Sequence, residues 1–149
     1  MIITVKKIWV DMYGPHADLY SDPDWLAKLQ AYDPTPYANA KPLLDMVVLS
    51  AILNRLQQRG YQICIVSWLS KEPTPTYDQL VIEAKKQWLK KYLGSVVFDQ
   101  IDIIPHGTPK AEGREGILFE DEPQYREAWG EGAFGRGSLG WRGAFGVRL

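Results

Sequence analysis

The chain has 149 residues, of which 46% are hydrophobic, and carries 17 Lys and Arg against 18 Asp and Glu. This suffices for one core but not for two full domains, and a near-neutral balance without a long charge run gives no basic surplus for gripping a nucleic-acid duplex. A single cysteine excludes an internal disulfide, no apolar run reaches membrane-spanning length and the start lacks a signal-peptide pattern, so the expectation is a soluble, cytoplasmic protein with no membrane contact.

In chain order, residues 2–10 are β-branched and apolar and end at Asp11, which predicts a first strand. Residues 15–41 break the pattern. Asp22-Pro23-Asp24 is a good helix start, and a Pro- and Tyr-rich stretch from Tyr32 to Tyr37 follows, so a small insert is expected. Over residues 43–56, Leu44, Val47, Val48, Ala51, Ile52 and Leu56 recur at helical spacing, and Gly60 closes that helix. Residues 61–66 form the second strand candidate, in which Cys64 reads as a small buried hydrophobe. A second long helix is expected over 76–92, with Leu80, Ala84 and Trp88 on one face and a capping box between Thr76 and Gln79. Lys85, Lys86, Lys90 and Lys91 read as its solvated face. Residues 101–104 and 116–119 are the third and fourth strands, the latter followed by a short helix over 123–129. From residue 130 seven glycines recur with Phe134, Trp141 and Phe145, an irregular segment that ends in a short strand at 147–149.

Strands separated by helices imply parallel pairing through right-handed crossovers, a single α/β domain of Rossmann-like layout. In such sheets ligands bind beyond the carboxyl ends of the strands. Asp11 ends the first strand, Ser67 the second and Glu120-Asp121 the fourth, while Lys110 follows the third by a short loop. A carboxylate can attack phosphorus and become an aspartyl-phosphate if the phosphoryl oxygens are neutralised. Mg²⁺ suits that task because it takes oxygen ligands and needs only one or two carboxylates, here Asp11 and Asp121. Ser67 and Lys110 would hold the nonbridging oxygens by hydrogen bond and by point charge. Trp9, Trp25 and Trp68 could stack a nucleobase, although a place in the core is the better account of Trp9.

Four motifs in order carry a resemblance: Val10-Asp11-Met12-Tyr13-Gly14-Pro15-His16-Ala17-Asp18, then Ile63-Cys64-Ile65-Val66-Ser67, then Pro105-His106-Gly107-Thr108-Pro109-Lys110, then Ile117-Leu118-Phe119-Glu120-Asp121-Glu122-Pro123. Together with the helix ending Lys90-Lys91-Tyr92-Leu93-Gly94, this stretch of roughly residues 8–129 resembles the haloacid dehalogenase (HAD) superfamily of phosphatases and, within it, the 5'(3')-deoxyribonucleotidase family. The resemblance implies a HAD fold with a reduced cap between the first and second motifs. It also implies that Asp11 is nucleophile and metal ligand, that the Tyr13 carbonyl and Asp121 are further Mg²⁺ ligands, that Glu120 is a second acid near the metal, and that Ser67 and Lys110 bind phosphate. The implied substrate is a small phosphorylated compound, a nucleoside monophosphate first; a homodimer is left open.

The sequence departs from the family at Tyr13, where an Asp would protonate the leaving group and then activate water. With an unperturbed pKa of about 10, tyrosine is a poor base near neutrality. His16, three residues on, has a suitable pKa to substitute as acid/base or is a plain loop residue. Three readings follow. One is a Mg²⁺-dependent phosphomonoesterase; the second is a HAD-fold binding or regulatory protein that lost turnover with the acid at position 13; the third is phosphoryl transfer to an acceptor other than water, which also tolerates a weak hydrolytic base.

Overall fold

The computed structural model describes residues 6–12, 17–18, 21–71, 74–120, 127, 129 and 133–134. Its centre is a parallel sheet of five strands: β1 (Lys7–Asp11), β4 (Gln62–Trp68), β5 (Gln100–Ile104), β6 (Ile117–Phe119) and β7 (Ala133–Phe134). They lie in the order β5-β4-β1-β6-β7, so the chain winds outward from β1 in both directions. Register is continuous across the middle: Ile8 pairs with Ile63 and Ile117, and Asp11 pairs with Val66. This is the parallel α/β architecture that the alternating pattern predicts. Of the first strand candidate, residues 2–5 lie outside the described residues.

Two long helices, α3 (Met46–Gln58) and α4 (Pro75–Tyr92), supply the crossovers around β4. Asp45 caps α3, its carboxylate accepting from the amides of Val47 and Val48 at 3.0 and 3.2 Å. The buried stripe of α3 is Met46, Leu49, Ile52, Leu53 and Leu56, which packs with Ile8, Val10, Ile63 and Ile65 in the main core. The expected stripe was therefore rotated. Leu44 and Val48 line the edge of the core, but Val47 is 81% exposed and Ala51 faces water.

A similar offset holds for α4. Its cap is Thr74, whose Oγ1 accepts from the Tyr77 amide at 3.1 Å, so the helix starts at Pro75 and the predicted Thr76–Gln79 box does not form its start. Proline at the first helical position loses no hydrogen bond there. Tyr77, Val81, Ala84, Lys85, Trp88 and Leu89 are buried, whereas Leu80 is 39% exposed. Lys85 thus leaves the solvated face that the sequence suggests and joins the buried one.

The opposite face of the sheet carries Trp9, Cys64, Val66 and Leu118, with Ile104, Trp129 and Ala133 packed against them. Trp9 is a core residue, as expected, and its Nε1 donates to the Glu115 carbonyl at 3.0 Å. Gly116 enters β6 at φ +122° with the Lys7 carbonyl so close that an added Cβ would lie 2.2 Å from the oxygen. Only glycine fits there. β7 falls in the Gly-rich segment, where no strand at 133–134 was expected, and pairs with β6. The predicted helix over 123–129 falls largely, and the predicted strand at 147–149 wholly, outside the described residues.

Between β1 and α3 the chain forms β2 (Ala17–Asp18) antiparallel to β3 (Lys41–Pro42), with α1 (Trp25–Gln30) and α2 (Thr35–Ala38) between them. Asp22 rather than Asp24 stabilises the start of α1, accepting from the Asp24 amide at 2.9 Å and from Lys28 Nζ at 2.6 Å. The Pro- and Tyr-rich stretch supplies α2, which packs on α4 through Tyr37, Tyr77, Val81 and Ala84. No helix among the described residues is long and apolar enough to cross a membrane.

Candidate functional site

The carboxyl ends of β1, β4 and β6 bring together Asp11, Ser67 and Glu120, and the loop after β5 returns Lys110 to them. All four are buried, between 1% and 7% exposed, although three of them are ionisable. Side chains alternate along each strand. Cys64 and Val66 face one side of the sheet with Trp9, while Ile63 and Ile65 face α3 and α4. By that alternation Ser67 faces α4, and Trp68 returns to the Trp9 side.

Lys110 is the hub of the acidic half. Its Nζ lies 3.1 Å from Asp11 Oδ1 and 2.6 Å from Glu120 Oε2, and it sits 4.7 Å from the centre of the Trp68 ring. The loop carrying it is pinned from several sides. Trp68 Nε1 donates to the Thr108 carbonyl at 2.8 Å, Arg114 Nη1 donates to the Lys110 carbonyl at 3.3 Å, and Arg114 also pairs with Asp102 at 2.9 Å. The His106 ring packs against the Trp68 ring, their centres 4.8 Å apart and their planes inclined at 54°.

Two buried carboxyl groups thus share one ammonium. Burial and the neighbouring Glu120 push the Asp11 carboxyl well above the usual carboxylate range, with Lys110 pulling the other way. Burial works against the charge of Lys110, but Asp11 and Glu120 outweigh it, and the ammonium is held above its ordinary value.

Lys85 is a functional candidate that the sequence reading placed on the solvent side. It is 1% exposed, and its Nζ donates to Ser67 Oγ at 2.6 Å and to the Trp68 carbonyl at 2.6 Å, with the Tyr37 ring 5.1 Å away. Burial lowers its pKa to about 7, Asp11 resisting and Lys110 assisting that shift. A signal for it exists in the sequence: Tyr77, Val81, Lys85 and Trp88 fall at helical spacing, so a stripe drawn from Tyr77 instead of Leu80 passes through Lys85.

Of the other candidates, Tyr13, His16 and Asp121 lie outside the described residues. Among the described residues no three His, Cys, Asp or Glu side chains converge into a metal cluster. The donor chemistry of Asp11 and Glu120 nevertheless fits a hard divalent cation: buried carboxylate oxygens, close together, with one ammonium between two acids. Trp25 lies on α1, half-buried. Cys64 is fully buried and its thiol is pushed up to about 11 by burial, consistent with a packing role.

The chain matches no family model and no curated protein sequence. Solved structures share its fold. A chain of the Pnkp1/Rnl/Hen1 complex aligns with a TM-score of 0.57 at 17% identity, over 91% of this chain and 47% of that one. The D,D-heptose 1,7-bisphosphate phosphatase from Burkholderia thailandensis aligns with a TM-score of 0.51 at 15% identity, over 83% of this chain and 71% of that one. The present chain therefore spans about half the length of the first. At these identities the likeness concerns the fold, a parallel sheet flanked by helices of the HAD-like, Rossmannoid kind.

Proposed function

We propose that this protein is a Mg²⁺-dependent phosphomonoesterase of HAD type, with Asp11 as the nucleophile and a nucleoside monophosphate as its first-choice substrate, as in the 5'(3')-deoxyribonucleotidases. The observation that carries this reading is the arrangement around Asp11. A buried carboxylate at the end of the central strand, with Lys110 on one of its oxygens and Ser67 on the neighbouring strand end, matches what phosphoryl transfer to a carboxylate requires.

In that reaction Asp11 attacks phosphorus as the bond to the leaving oxygen breaks, and water later cleaves the aspartyl-phosphate. Lys110 favours the ionised form of Asp11 against burial and Glu120 and would meet the nonbridging oxygens, while Ser67 would contribute a hydrogen bond. Asp11, Glu120, Asp121 and the Tyr13 carbonyl would hold Mg²⁺, which neutralises phosphoryl charge. The bound cation would also oppose the upward pull on the Asp11 carboxyl. The insert over 15–41, read as a reduced cap, leaves room for a small nucleotide or a larger phosphorylated partner.

Tyr13 favours a second reading, a binding or regulatory protein without hydrolytic turnover, because a phenol is a poor base for the water step. Phosphate release from nucleoside monophosphates with Mg²⁺, measured for wild type, Asp11→Asn and Tyr13→Asp, separates the two. The enzymatic reading expects turnover in wild type and none in Asp11→Asn. An inert wild type rescued by Tyr13→Asp would establish the binding reading instead. If wild type is active, His16→Ala tests whether that histidine serves in place of the missing acid, by loss of activity across the neutral pH range.

A further inference from the structure

The buried half of the site formed by Ser67, Trp68, Lys85 and Tyr37 has no role in the scheme above beyond the hydrogen bond of Ser67. We propose that Lys85 is a positioning residue that acts through Ser67: by donating into Ser67 Oγ from α4, it commits the serine hydroxyl to donate toward an oxyanion at the sheet end. This deepens the proposed phosphate site and rests on it for the identity of the anion, but not for turnover.

The argument is geometric. A hydroxyl has one proton and two lone pairs. Lys85 Nζ lies 2.6 Å from Ser67 Oγ; as an ammonium it has no acceptor, so it fills one lone-pair direction with an N–H and the Ser67 proton must point elsewhere. An ammonium donating to a hydroxyl also polarises it and makes it the stronger donor. The lysine is itself fixed. Its second bond, to the Trp68 carbonyl at 2.6 Å, ties it to the next residue of β4, and the Tyr37 ring of α2 closes over it at 5.1 Å.

The charged and titratable groups in range of it are Asp11 from β1 and Lys110 from the loop after β5, with Tyr37 on α2 and Tyr77 on α4 beside them. Lys85 therefore senses the charge of the same site. Its own charge is weakly held when no anion is present, since burial has lowered its pKa to about 7. A dianion arriving at the sheet end supplies the missing negative charge, so binding above neutral pH should draw a proton onto Lys85.

Calorimetric titration with inorganic sulfate, whose charge is constant from weakly acidic to basic pH, tests this. With Mg²⁺ held constant, the titration is run for wild type, Lys85→Met, Ser67→Ala and the double variant, and near-UV circular dichroism confirms the fold of each. Lys85→Met is expected to weaken sulfate binding by about tenfold or more. The double variant should lose no more than the worse single one. At pH 8, titrations in buffers of different ionisation enthalpy should show proton uptake by wild type and none by Lys85→Met.

Wild-type affinity in Lys85→Met, or losses that simply add in the double variant, would overturn the proposal. Should Lys85→Met fail to fold, Ser67→Ala carries the test alone: proton uptake should fall with it, and unchanged uptake counts against the coupling. Absence of sulfate binding by wild type would remove both this inference and the anion site on which it rests. Binding with these couplings but no phosphatase activity would leave the inference standing and overturn only the enzymatic reading.

Discussion

At the scale of single residues the site is governed by how buried opposite charges are paired: Asp11, Glu120, Lys110 and Lys85 are all buried, but they are not matched one to one. Lys110 serves two acids, so removing it leaves two buried carboxylates without their shared cation. Lys110→Met is expected to lower stability by about 3–5 kcal/mol, read from urea denaturation at neutral pH. Lys85 has the reverse problem, a cation whose folded-state pKa of about 7 lies below its ordinary 10.5. The folded state then binds fewer protons than the unfolded one across that interval, and the Lys85 contribution to stability grows as pH rises from about 7 toward 10.5. Unfolding free energies at pH 6 and 8.5 should therefore rise more steeply in wild type than in Lys85→Met; equal slopes would contradict the shift. Cys64, with its thiol pushed up to about 11, should resist thiol reagents at pH 8 in the native protein and react once it is unfolded.

At the scale of elements, both long helices were legible in the sequence but their buried faces were not fully so. Periodicity establishes that a helix is amphipathic, while the choice between adjacent stripes depends on what the sheet presents to it. Val47 shows the difference: apolar and in phase with Leu44 and Val48, it nonetheless points to water. Replacing Val47 by Ser should change stability by less than about 0.5 kcal/mol, whereas Leu53→Ala, in the buried stripe, should cost about 2–5 kcal/mol, both from denaturation midpoints. The α4 start is tested in the same way. Thr74→Ala should cost about 1 kcal/mol, and Thr76→Ala much less.

At the scale of the molecule the sheet order determines which parts are held most firmly. β1 and β4 lie inside the sheet between strands on both sides, and α3 and α4 cover one face of them. Their amides should exchange most slowly in native-state hydrogen exchange, with α1, which has no buried residue, among the fastest of the helices. Gly116 links this architecture to sequence, since the approach of β6 to β1 at Lys7 leaves no room for a side chain. Gly116→Ala should destabilise by more than about 2 kcal/mol and loosen β6, on which Glu120 depends.

The sequence by itself determined the α/β class, the parallel pairing and the strand ends that carry Asp11, Ser67 and Glu120, because hydrophobic period and strand termination are local properties of the chain. It placed Lys110 by order and spacing. What only the tertiary structure decided is which side chains those strand ends meet: the sharing of Lys110 by Asp11 and Glu120, and the withdrawal of Lys85 from a lysine-rich face into the site. Both depend on the rotation of α4 against β4 and on the loop after β5 folding back. The energies that decide these arise between segments far apart in the chain, where local periodicity carries no record of them.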